Sequence, residues 1–97
     1  MHALGWIDPT SPTQEWDRAQ VRRLARRLGF RLAWADPNSL LGLAEQVESG
    51  GVDVVLMPSS GHIDAVTMNR VLCTADIECA APRMSFDRWS LIGGFKR

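Results

Sequence analysis

The run Val52-Asp53-Val54-Val55-Leu56-Met57 restricts what this chain can fold into more than any other stretch. It is nearly continuous in β-branched and aliphatic side chains. A strand with one wet face alternates apolar and polar residues, whereas a strand that is apolar throughout needs cover on both faces. The run therefore predicts a central parallel strand in a sheet flanked by helices.

The surrounding segments supply the partners. Residues 2–7, HALGWI, read as a short buried strand stopped by Pro9. In the next segment Ser11 is placed as a helix N-cap, Pro12 at the first helical position, and Gln14 as the second half of a capping box. Glu15 and Asp17 then put negative charge in the first turn. Val21, Leu24, Ala25 and Leu28 recur at helical spacing, and Gly29 ends the helix. Residues 30–35, FRLAWA, predict a second strand. Asp36-Pro37 repeats the cap-plus-proline signal ahead of a stripe of Leu40, Leu43, Ala44 and Val47, closed by Gly50-Gly51. After the central strand, Pro58-Ser59-Ser60-Gly61 is a loop. Residues 62–74 suit a third helix, with Ile63, Val66 and Thr67 on one side and Val71 and Leu72 continuing the burial. Residues 76–81, DIECAA, read as a fourth strand. Beyond Pro82 the pattern weakens to a tail over 82–97, with one helical turn around Phe86–Trp89.

The order β-α-β-α-β-α-β predicts an α/β fold in a single domain over 1–97: three layers, with a mostly parallel open sheet of about four strands and helices on both faces. The length of 97 residues suits one domain rather than two.

Eleven basic residues balance eleven acidic ones, so any attraction to a polyanion must come from a local patch. One such patch exists. Arg18, Arg22, Arg23, Arg26, Arg27 and Arg31 cluster on and just past the first predicted helix, and Arg18, Arg22 and Arg26 share a face. They are nucleic-acid candidates, or else a solvated face paired with Glu15, Asp17 and carboxylates elsewhere. No aromatic is interleaved with them in the sequence, as single-strand binders require. Cys73 and Cys79 sit in apolar surroundings without metal-ligand spacing and read as buried reduced thiols in a cytoplasmic protein. No basic-plus-apolar leader begins the sequence, and no apolar stretch is long enough for a membrane span. No cofactor or metal is expected.

Two loops carry the candidate chemistry, both at the carboxyl edge of the predicted sheet, where α/β proteins usually bind ligands. In the first, Thr10 and Ser11 are candidate nucleophiles beside Asp8. The plainer reading is a turn and helix cap, for which these residue types are favoured in any case. In the second, His62 follows Ser59, Ser60 and Gly61. This stretch could cradle an anion at a helix start or simply turn the chain, since it has neither the lysine nor the spacing of a phosphate-binding loop. His62 is a candidate base. No phosphate clamp accompanies Ser11, so the logic of an activated nucleophile is not met.

Element order and several positions resemble the N-terminal catalytic domain of the serine recombinases, the resolvase/invertase family. Trp6-Ile7-Asp8-Pro9-Thr10 stands where that family has aromatic-x-Arg-x-Ser. Gln14, Asp17 and Gly29 fall at a Gln, an Asp and a helix-ending Gly, and Asp53–Met57 match the third strand. The similarity covers roughly residues 3–81. The departures fall on the chemistry. Thr10 replaces the nucleophilic serine, Asp8 replaces an arginine, Gly61 and His62 stand at an Asp-Arg pair, and Ala65 stands at a further arginine. Those arginines would hold the scissile phosphate and its developing charge. The chain also ends before that family's dimer helix and helix-turn-helix domain.

The resemblance thus implies a resolvase-like fold whose catalytic function is lost: an interaction or regulatory module, self-associating as a homodimer or docking a protein partner. Trp89, Leu91, Ile92 and Phe95 in the tail are the interface candidates. The alternatives are an enzyme or small-anion binder using the carboxyl edge, and a DNA-associated accessory protein using the arginine helix.

Overall fold

Strand β3 (Val54–Met57) is buried at all four positions, as its composition demands. In the computed structural model, which describes residues 1–88, β3 lies mid-sheet. The other strands are β1 (His2–Gly5), β2 (Arg31–Trp34), β4 (Asp76–Ala80) and β5 (Arg83–Phe86), in the order β2-β1-β3-β4-β5. β1 to β4 are parallel and β5 runs antiparallel to β4. The helices are α1 (Gln14–Leu28), α2 (Leu43–Gly50) and α3 (Ala65–Leu72), with a 3-10 turn over Ser60–His62.

The pleat divides the core in two. Ala3, Val54 and Leu56 pack with Val21, Leu24 and Ala25 of α1, backed by Leu32 and Trp34. Leu4, Val55, Met57, Ile77 and Cys79 pack with Leu43, Ala44 and Val47 of α2 and Val71 and Leu72 of α3. Gly29 and Gly51 end α1 and α2 in the left-handed region, at φ 77° and 61°, where a side chain is strained.

Several expectations change. The sheet has five strands, not about four, and Phe86 closes β5 rather than opening a helical turn. The register pairs Ile77 with Phe86 and Cys79 with Met84. Arg83 pairs with Glu78 at 2.6 Å, and the Ser85 hydroxyl donates to the same carboxylate at 2.5 Å. As a short edge strand, largely exposed, β5 needs little apolar alternation, so its sequence carries a weak signal.

The second helix starts at Leu43. Leu40 is fully exposed, because Asp36 holds a local turn by accepting the Asn38 N–H at 2.9 Å. The third helix starts at Ala65, capped by Asp64, whose Oδ1 accepts the Thr67 N–H at 2.7 Å. His62 lies outside it, and Val66 is exposed. Leu28, in the last turn of α1, and Cys73 are also exposed, while Cys79 is buried as expected. Trp89, Leu91, Ile92 and Phe95 lie outside the described residues. No helix among the described residues is long and apolar enough to cross a membrane.

Candidate functional site

The order β2-β1-β3 places a topological switch point between the carboxyl ends of β1 and β3, the usual ligand crevice of a parallel sheet. The loops carrying Asp8, Thr10, Ser11 and His62 leave from this point. The structure therefore brings the two candidate loops together. The Asp8 N–H donates to His62 Nδ1 at 2.9 Å, and Trp6 Nε1 donates to the His62 carbonyl at 2.9 Å.

The first loop is a folded turn. Asp8 Oδ1 accepts the Thr10 N–H at 2.9 Å and the Thr10 hydroxyl at 2.8 Å, and the Ser11 N–H closes on the Asp8 carbonyl at 2.9 Å. The Thr10 backbone bond, then its hydroxyl, holds the half-buried Asp8 carboxyl below its ordinary value of 3.8. Gln14 Nε2 donates to the carbonyls of Asp8 and Ser11, tying the turn to α1.

The expected cap is not formed as the sequence suggests. Thr13, not Ser11, occupies the N-cap position, and it makes no side-chain cap bond. Ser11 instead donates to Asp17 Oδ2 at 2.5 Å, and the Thr13 hydroxyl donates to Asp17 Oδ1 at 3.1 Å. Asp17 is only 4% exposed, the one buried charged residue among those described. Its carboxylate takes both hydroxyl protons, while the Ser11 oxygen also accepts the Thr13 N–H at 3.3 Å, outside the helix.

His62 Nε2 stands 4.0 Å from the same Asp17 oxygen. Ser11 and His62 thus converge on Asp17, but not in the order of a Ser–His–Asp triad. The serine proton is directed to the carboxylate, and His62 Nδ1 is occupied by a backbone N–H. Asp17 was missed as a site residue. The available signal was its place at i−4 from Val21, where a carboxylate continues an apolar stripe.

Trp6, Asp8, Gly61, His62, Ile63, Asp64 and Thr67 line a cleft of about 400 Å³ beside this cluster. Ser59 and Ser60 are half-buried at the 3-10 turn and do not line it. Asp64 occupies the start of α3 with its own carboxylate, which the Thr67 N–H holds below the ordinary aspartate value. Among the described residues, no three His, Cys, Asp or Glu side chains gather as a metal site.

The arginine cluster takes an arrangement the sequence did not show. Arg18 and Arg22 lie over the Trp34 ring, at 5.5 and 5.8 Å from its centroid. Gly5 makes room for that ring, since a Cβ there would fall 2.7 Å from it. None of Arg18, Arg22, Arg23, Arg26, Arg27 and Arg31 enters an ion pair among the described residues, so the expected pairing with Glu15 and Asp17 is not formed. Asp17 is turned into the fold instead.

Fold and site define an α/β domain on a mostly parallel sheet, with a polar cluster and a cleft at the switch point. Compared with known proteins, the chain matches no family model, no curated protein and no solved structure.

Proposed function

We propose that the chain is a catalytically inactive, resolvase-like interaction or regulatory module that self-associates. The observation that carries this reading is the proton inventory of the carboxyl edge. The Thr10 hydroxyl donates to Asp8, the Ser11 hydroxyl donates to Asp17, and His62 Nδ1 accepts the Asp8 N–H. Each group that would attack, or take a proton, already serves the fold. Phosphoryl chemistry also needs cations at the reacting phosphate, and the cleft wall offers the carboxylates of Asp8 and Asp64 instead. Four of the five positions that depart from the recombinase pattern, Asp8, Thr10, Gly61 and His62, fall at this edge, and the fifth, Ala65, opens α3 just beyond it. That placement supports a domain that keeps the scaffold without the chemistry.

Self-association rests on Trp89, Leu91, Ile92 and Phe95. Burying a large apolar side chain is worth about 1.5–3 kcal/mol, and a two-fold dimer is the commonest way to do so between copies. Two measurements test the reading. Incubation with supercoiled plasmid, and separately with a fluorophosphonate probe, should give no covalent adduct, and an adduct at Thr10 or Ser11 refutes it. Light scattering should show a dimer that weakens when Trp89 and Leu91 are made polar, and a monomer at high concentration refutes self-association.

A further inference from the structure

Among the described residues the densest run of like charge is the arginines of α1, which start at Arg18 beside the carboxyl edge and run along the helix away from it. Its apolar stripe, Val21, Leu24 and Ala25, is spent against the sheet, and Arg18, Arg22, Arg23, Arg26 and Arg27 are exposed around the rest of the helix, with Arg18 and Arg22 on the flank that borders Trp34 of β2. Glu15 is the only exposed acid on the helix, because Asp17 is buried. We propose that this face docks the sugar–phosphate backbone of duplex nucleic acid. The inference does not rest on the non-catalytic reading and can fail without it.

Three observations select this occupant. First, the charges are periodic. Arg18, Arg22 and Arg26 form one row and Arg23 and Arg27 a second, at steps of about 6 Å for four residues of α-helix. A duplex presents a dense regular line of anions, about one charge per 1.7 Å of axis. Second, two of the cations are positioned in advance. Arg18 and Arg22 rest their guanidinium faces over Trp34. Stacking engages the flat face of the group and leaves its in-plane N–H fork for phosphate oxygens. Third, the face lacks what the other polyanionic partners would use. A helix lying in a membrane surface sinks apolar side chains into it, and a protein interface closes over a buried apolar core. Here Trp16 and Leu28, the exposed large apolar residues of α1, stand at opposite ends of the helix with only polar and small residues exposed between them.

Fluorescence anisotropy of a labelled duplex with the 97-residue chain tests the proposal. Four phosphate contacts give a slope of about −3.6 in log affinity against log salt, or a loss of roughly 100-fold between about 50 and 200 mM. R22E/R26E should abolish binding with the circular dichroism unchanged. R23Q/R27Q, a milder change should the first variant not fold, should make the slope shallower by about 1.8. R70Q on α3 should bind as the parent chain does. The proposal is overturned by no binding at low salt, by binding insensitive to salt, or by folded arginine variants that bind unchanged. It is equally overturned if phosphatidylserine vesicles or polyglutamate are bound and the duplex is not.

Discussion

Replacing Asp17 with alanine is the sharpest test of how the two candidate loops are held. The substitution removes the acceptor for Ser11 at 2.5 Å and for Thr13 at 3.1 Å, and the carboxylate facing His62. A hydrogen bond to a charged group contributes about 1.5–3 kcal/mol. Two offsets reduce the sum. Ser11 and Thr13 reach solvent, so water partly replaces the lost acceptor, and removing a buried charge recovers its desolvation cost. The expected net loss is about 2 kcal/mol, which for a domain near 100 residues lowers Tm by about 8–16 °C. Asp17→Asn, which keeps one oxygen acceptor in place, should lose about half of that. A double-mutant cycle with Ser11→Ala should give a coupling of about 1 kcal/mol, because the two residues share one bond. Urea denaturation followed by tryptophan fluorescence measures all five chains, the parent, the three single variants and the double variant. If Asp17→Ala costs less than about 0.5 kcal/mol, or adds independently to Ser11→Ala, the carboxylate does not hold the loops and the reasoning fails.

Acid should destabilise the fold through the same class of group. The Thr67 N–H bond holds Asp64 below 3.8 in the folded chain. At Asp76, burial pulls the value up, but the Arg88 hydrogen bonds pull it further down. A lowered folded value contributes stability that is complete above the unfolded value and is lost as pH falls through the folded one. Urea midpoints should therefore drop below about pH 4, and Asp64→Asn, which caps without titrating, should drop less. An identical decline in both chains refutes the assignment. Burial, then the neighbouring Glu78 charge, raises the Cys79 thiol to about 11, while Cys73 is exposed. A disulfide reagent should titrate Cys73 in the native protein and Cys79 only after denaturation, and modification of both at equal rates contradicts this burial. Gly5→Ala sets a Cβ 2.7 Å from the Trp34 ring. A stability loss of about 1–3 kcal/mol is expected by thermal denaturation, and parental stability would show that the ring yields freely.

The sequence alone determined what depends on neighbours along the chain. The Val21-Leu24-Ala25 stripe and Gly29 locate α1, and the apolar run through Val54–Met57 locates β3, because helical periodicity, the need for two-sided burial and a positive φ are local demands. The element order then led to a mostly parallel α/β sheet, and both candidate loops were correctly placed at one edge. Where a local signal competes with a distant partner, the distant partner decides. Asp36-Pro37 has the chemistry of a helix start, yet it holds its own turn seven residues before α2 begins at Leu43. Ser11 has the chemistry of a cap, yet it lies two residues before the N-cap position and binds the buried Asp17 carboxylate. The strand β5 has no strong pattern of its own and exists because β4 offers it an open edge. The same holds at both functional surfaces. Asp8 and His62 meet across 54 positions, and Trp34 reaches the arginines of α1 only because β2 brings its ring beneath that helix. Contacts between elements follow from how the sheet stacks them, and no spacing along the chain records that geometry.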